Sequence, residues 1–152
     1  VYLPQTGTRQ VSDAPPWGGF TGLRLDHTST DPGRAIMEAA AYELRWALEG
    51  MKGAGRAIHE MWMIGGATQS PLWPQIVASV TGLPLSLTQY AHGPALGAAI
   101  LGGMGLGLFD SVEAGLTRFP LSVRTIEPGE ARDPAYERQY ATYQRLAREL
   151  AT

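Results

Sequence analysis

The apolar run Met61-Trp62-Met63-Ile64 stops at Gly65-Gly66, and a new segment opens at Ser70-Pro71. A short continuous apolar run closed by glycine has the look of a strand covered on both faces, as in a parallel sheet. Leu72, Ile76, Val77 and Val80 then recur at helical spacing as far as Gly82, with Pro74 in the first turn, where its missing N–H matters little. Leu85-Ser86-Leu87-Thr88 follow as a brief strand. Strand, glycine turn, helix, strand confines the chain to α/β layering. The turn Gly65-Gly66-Ala67-Thr68-Gln69-Ser70 is the one local constellation with a clear chemical use. Glycines at the carboxyl end of a parallel strand let the backbone approach a flat or anionic group, and the helix start beyond supplies free N–H donors. The same residues also fit a plain tight connection, and the local pattern leaves both readings standing.

The rest of the chain extends the alternation. Residues 1–19 are broken by Pro4, Gly7, Asp13, Pro15, Pro16 and Gly18-Gly19 and read as irregular. Phe20 to Leu25 reads as a short strand with Leu23 and Leu25 on one face. Thr28 to Pro32 is a helix start, with Asp31 as cap and Pro32 at the first helical position. That helix runs to about Met51, its apolar face formed by Ile36, Ala40, Leu44, Ala47, Leu48 and Met51. Arg34, Glu38, Arg45, Glu49 and Lys52 fall largely on the opposite side, and Gly53 and Gly55 end the helix. A third helix from Gly93-Pro94 is rich in Ala95, Gly97, Ala98, Ala99, Gly102 and Gly103, small residues that allow close approach of a neighbour. Residues 119–126 read as extended, with Phe119, Leu121 and Val123 alternating. Asp133-Pro134 starts a last helix with Tyr136, Tyr140, Tyr143, Ala147 and Leu150 on one face. The expected organisation is a single domain over 1–152.

Composition excludes several function classes. With no cysteine there is no disulfide framework, thiolate metal site or cysteine nucleophile. Twelve Lys+Arg against 14 Asp+Glu, net −2 and scattered, argue against a nucleic-acid footprint. No apolar run approaches the ~18 residues of a membrane helix, and no leader pattern opens the chain. The expectation is a soluble, cytoplasmic protein, and a start at Val1 suggests a processed product or expressed fragment. Gly102-Gly103-Met104-Gly105-Leu106-Gly107 follows a helix and lacks dinucleotide-motif spacing, so it reads as a helix end and turn. His27, His59 and His92 are far apart and argue for no metal site. Glu38, Glu43 and Glu49 have arginines at hand and read as a salt-bridged surface. No residue here presents itself as a catalytic base.

Taken together, three ordered motifs resemble a known family: Gly65 to Ile76, Thr81-Gly82-Leu83-Pro84, and Gly93-Pro94-Ala95-Leu96-Gly97-Ala98-Ala99-Ile100-Leu101. They are similar to the C-terminal domain of the FGGY carbohydrate kinases, of the xylulokinase-like branch. Gly19-Phe20-Thr21-Gly22-Leu23, Arg34 to Glu38 and the closing tyrosine helix match in the same order. The resemblance implies a ribonuclease-H-like, actin-like ATPase domain of α/β class, in its C-terminal portion, with a mixed sheet and flanking helices. It implies ATP-dependent phosphorylation of a sugar or polyol, with ATP and Mg²⁺ as cofactors. The family's glycine loop lies against the adenosine end of ATP. Its second glycine falls on Gly66 and its polar residue on Ser70, with Gly65, Ala67 and Gln69 lining the same turn. The general base, the sugar-binding domain and the metal contacts are expected outside this chain, which alone is expected to be inactive. The implied partners are ATP and the sugar, with a homodimer admitted and neither nucleic acid nor membrane. Ala67 stands in place of a third glycine, Ala39 and Gly18 replace a glycine and an arginine, and His92 stands where an acid is usual. The segment Gln5 to Gln10 lacks the family's Gly-Glu-Arg-x-Pro pattern. These departures motivate an alternative, a non-catalytic nucleotide-binding or interaction module derived from a degenerate kinase.

Overall fold

The computed structural model describes residues 1–3, 18–88, 93–119, 122–129 and 133–149. The irregular stretch 4–17 with its Gln5-to-Gln10 segment, and His92, Leu121 and Leu150, lie outside the described residues. A short antiparallel pair, β1 (Tyr2–Leu3) and β2 (Gly19–Phe20), comes first. The strand expected over 20–25 is therefore confined to its first position. Thr21 N still bonds Val1 O at 3.0 Å, but Gly22 then turns the chain at φ +75°. Leu23 and Leu25 are exposed, and Arg24 and Asp26 pair locally at 2.7 Å.

Helix α1 (Thr30–Gly53) begins a residue before the expected cap. Asp31 lies inside its first turn and reaches back, accepting from Thr28 N at 2.7 Å and Thr28 Oγ1 at 2.9 Å. The buried face is also not the expected one. Ala39, Ala41, Tyr42 and Arg45 are buried, whereas Ile36, Ala40, Leu44, Ala47 and Met51 are exposed and Leu48 is half-buried. The reason is what α1 packs against. Its Tyr42–Arg45 side meets the second and last helices, and the described residues cover the Ile36–Leu44–Met51 stripe only in part.

β3 (Met61–Met63) follows, then a 3-10 turn over Gly66–Gln69, α2 (Trp73–Thr81) and β4 (Leu85–Thr88). β3 and β4 are parallel, as expected. Met61 and Met63 pack on the core, but Trp62, on the opposite face, is 54% exposed, so β3 is not covered on both faces. Gly82 at φ +70° closes α2 in the left-handed conformation that favours glycine. Ile76, Val77 and Val80 of α2 are buried with Leu85 and Leu87 of β4 and with Tyr42. Burying each such aliphatic side chain is worth roughly 1.5–3 kcal/mol.

Helix α3 (Gly93–Gly105) and a short α4 (Val112–Arg118) form a separate layer. Sequence reasoning passed over α4, although Ser111 caps it by accepting from Ala114 N at 3.1 Å. β5 (Val123–Ile126) pairs antiparallel with β4, giving a mixed sheet in the order β3-β4-β5. α5 (Pro134–Glu149) starts where Asp133 accepts from Ala135 N at 2.8 Å, and buries Tyr140 and Tyr143 against α1. The expected salt-bridged surface needs one correction. Arg34–Glu38 pairs as expected at 2.7 Å, with Arg34 exposed and Glu38 half-buried, but Arg45 is only 6% exposed and points into the α1–α5 interface.

Candidate functional site

The carboxyl ends of β3 and β4 meet at the turn that follows β3. Gly65 adopts φ +83°, ψ −166°, a backbone conformation that essentially only glycine holds. The chain then coils tightly. Thr68 N donates to Gly65 O at 3.1 Å, and Ser70 N donates to Ala67 O at 3.2 Å. Gly66 and Ala67 precede the first bond of the turn, so their amides have no carbonyl within it to bond. This is the edge at which open α/β sheets receive ligands.

Gly66 differs from its neighbour. Its φ lies outside the left-handed region, and a Cβ placed there would meet no described atom within 4 Å. Neither its conformation nor packing against the described residues requires glycine at this position.

The five residues singled out from sequence, Gly65, Gly66, Ala67, Gln69 and Ser70, therefore belong to one continuous turn. The Ser70 side chain faces the helix: its Oγ accepts from Trp73 N at 3.1 Å and so caps α2. Sequence reasoning placed Thr68 in the turn but gave it no role; it is 7% exposed, and its Oγ1 donates to Gly65 O at 2.8 Å. Arg124, from β5, went unnoticed. With Thr68, Gln69, Leu87, Thr88, Ser122 and Val123 it lines a cavity of mixed polarity, about 240 Å³, beside the turn. No residue of the turn titrates, so the turn itself can hold or orient a ligand but supplies no acid or base.

A second cavity, of about 500 Å³, lies elsewhere, between the β1–β2 pair, the start of α1 and α5. Its charged groups already have partners: Asp31 with Thr28, Arg34 with Glu38. His27 holds a local turn, accepting from Arg24 N at 3.1 Å. An apolar groove of about 350 Å³ runs between Ile64, Leu96, Ile100, Val112 and Leu116.

The model of the C-terminal domain of the FGGY family of carbohydrate kinases matches residues 3–106, the glycine turn included. The chain belongs to the FGGY family of carbohydrate kinases. This FGGY chain is 31% identical over 134 residues to a xylulose kinase of Staphylococcus epidermidis, covering 88% of the chain and 27% of that protein. It is 43% identical over 83 residues to a ribulokinase of Mycolicibacterium smegmatis, covering 55% of the chain and 15% of that protein. The crystal structure of xylulose kinase from Rhodospirillum rubrum matches with a TM-score of 0.69 at 33% identity, over 91% of this chain and 28% of that one. A ligand-bound xylulose kinase from Lactobacillus acidophilus gives a TM-score of 0.75 at 20% identity, over 100% and 31%, a likeness of fold alone. The FGGY chain thus has the ribonuclease-H-like, actin-like ATPase fold, α/β with a mixed sheet and flanking helices. It spans between a quarter and a third of the length of these xylulose kinases.

Proposed function

We propose that these residues form the adenosine-side part of an ATP-dependent sugar or polyol kinase of the xylulokinase type. The observation that carries this reading is Gly66: a glycine at the sheet edge that neither its own φ nor any described neighbour requires. Close approach of a nucleotide supplies the missing reason. Gly65, Ala67 and Gln69 line the approach, and Ser70 acts through the helix start it caps. The names of the related proteins support a keto-sugar as acceptor. The reading takes the cytoplasm as the compartment.

The residues present suit the nucleoside end of ATP and not the metal. Among the described residues no group of three His, Asp or Glu side chains converges to hold an ion. In this reading Mg²⁺ arrives on the phosphates and takes its protein ligands, like the sugar and the general base, from polypeptide outside these residues. Phosphoryl transfer rests on positioning and charge neutralisation around the γ-phosphate, which one edge of the cleft does not provide alone.

The exposed surfaces support that division. Among the described residues β3 pairs only with β4, leaving its other edge open. Trp62 and Ile64 are exposed on the side of α3, and Ile36, Leu44 and Met51 are exposed on α1. A strand added to the free edge of β3 would extend the sheet. We take it to be another part of the same kinase domain, with the sugar-binding domain beyond.

Calorimetric titration of ATP into the chain tests the reading. Binding by the wild type, lost in Gly66→Leu without a fall in thermal midpoint, is the expected result. A folded chain that binds no ATP would favour the non-catalytic module. Phosphorylation of xylulose by residues 1–152 alone would overturn the placement of the base elsewhere.

A further inference from the structure

Thr68 stands at the centre of the turn's hydrogen bonds, and its residue type has no part in the motif that singled the turn out. Its Oγ1 donates to Gly65 O at 2.8 Å and accepts from Gln69 Nε2 at 3.4 Å. Its backbone N–H reaches the same carbonyl at 3.1 Å. Gly65 O is therefore held twice by one residue, and the Gln69 carboxamide is tied to the same hydroxyl. Only the hydroxyl does both.

The need for such a clamp follows from the sequence. Gly65-Gly66 is the least restrained kind of dipeptide, because glycine has no Cβ to limit φ and loses the most backbone freedom on ordering. Gly65 sits at φ +83°, ψ −166°, where no side chain of its own fixes it. Burial of Thr68 to 7% exposure anchors the clamp in the molecule rather than in solvent.

We propose that Thr68 is the positioning residue of the nucleotide turn. Its hydroxyl sets the Gly65–Gly66 peptide and the Gln69 carboxamide in the arrangement that receives the nucleotide. Thr68 acts through these neighbours and makes no contact of its own. The inference rests on the nucleotide reading of Gly66.

Titration of MgADP into wild type, Thr68→Val, Thr68→Ser and Gln69→Leu, with thermal unfolding of each, tests it. Valine keeps the shape and removes the hydroxyl. Binding is expected to weaken roughly three- to tenfold, the size of one hydrogen bond, while the serine variant binds within about twofold of wild type, since it keeps that bond. The Thr68→Val and Gln69→Leu effects are expected to be less than additive, because both break one chain of bonds. Gln69 is exposed, so its variant reports even if Thr68→Val does not fold. Wild-type affinity in folded Thr68→Val, equal loss in Thr68→Ser, or a Gln69→Leu variant with unchanged affinity overturns the positioning role. No MgADP binding by wild type instead overturns the reading of Gly66, and this inference with it.

Discussion

Arg45 on α1 grips Glu137 on α5 through two parallel hydrogen bonds, Nη1 to Oε1 at 2.8 Å and Nη2 to Oε2 at 2.9 Å. The same guanidinium bonds Glu49 at 3.0 Å and lies 4.1 Å from the centre of the Tyr140 ring. Burial works to lower its pKa, but the bonds from Glu137 and Glu49 outweigh that and hold it above the ordinary arginine value. Both carboxylates remain partly in water, so the ion pairs themselves are screened. Arg45→Ala is expected to cost about 2 kcal/mol in urea denaturation, chiefly through lost packing and bidentate geometry. Glu137→Gln is expected to cost about 1 kcal/mol, because the fork survives in part. Equal losses would show that charge alone holds the helices together.

The two tyrosines beside this pair make stability sensitive to alkali. Burial, aided by Glu38 and Tyr136, pushes the Tyr42 hydroxyl well above its usual value of 10.0. Burial and the bond to Glu49 do the same for Tyr140. A phenol with a raised folded pKa contributes stability that is whole below its unfolded value and is lost as pH rises towards the folded one. Unfolding free energy should therefore begin to fall near pH 10.0 and continue to fall above it. Tyr42 Oη is also buried without a hydrogen-bond partner among the described residues. Tyr42→Phe should leave stability at neutral pH unchanged or raised, and flatten the alkaline limb. Denaturant titrations between pH 7 and 12 of both proteins check this; an unchanged alkaline limb would sink it.

What the sequence made legible was mostly local. The glycine turn, the parallel strand pair and the start of α5 are written in neighbouring residues and short-range capping rules. The buried face of α1 was not, for a physical reason. Apolar periodicity marks the stripe Ile36–Leu44–Met51, yet the side that is buried here uses Tyr42 and Arg45. These are amphipathic side chains whose stems pack while their polar ends pair with α5. Which of two usable faces is covered depends on partners that are distant in sequence. The role of Thr68 escaped for a related reason: it lies in a bond to Gly65 O that exists only once Gly65 takes a positive φ.

The apolar stripe on α1 makes its own prediction. Ile36, Leu44 and Met51 are 47%, 37% and 51% exposed, so a charge there removes only part of each side chain's packing within the described residues. Leu44→Glu in the isolated chain should change unfolding free energy by no more than about 1 kcal/mol and reduce self-association in sedimentation. Within a longer kinase that covers this face, the same change should be strongly destabilising, through burial of an unpaired carboxylate. A large loss of stability in the isolated chain would mean that the stripe is already covered.

Glycines supply the sharpest contrast between fold and site. At Gly115 an added Cβ would lie 2.5 Å from Ile100 Cγ2, and at Gly103 it would lie 2.6 Å from Phe109 Cε2. Both glycines let α3 and the segment through α4 close on each other. Gly115→Ala and Gly103→Ala should each cost roughly 1–3 kcal/mol by overpacking. Gly97 meets no described atom within 4 Å and lies within α3, so Gly97→Ala should stabilise the isolated chain by up to about 1 kcal/mol. Gly66→Ala should behave differently from all three, leaving the thermal midpoint near wild type and weakening nucleotide binding. Thermal unfolding and ATP titration on the same four variants separate the cases. If Gly66→Ala instead lowers the midpoint as Gly115→Ala does, the glycine serves the fold, and the turn is only a tight connection.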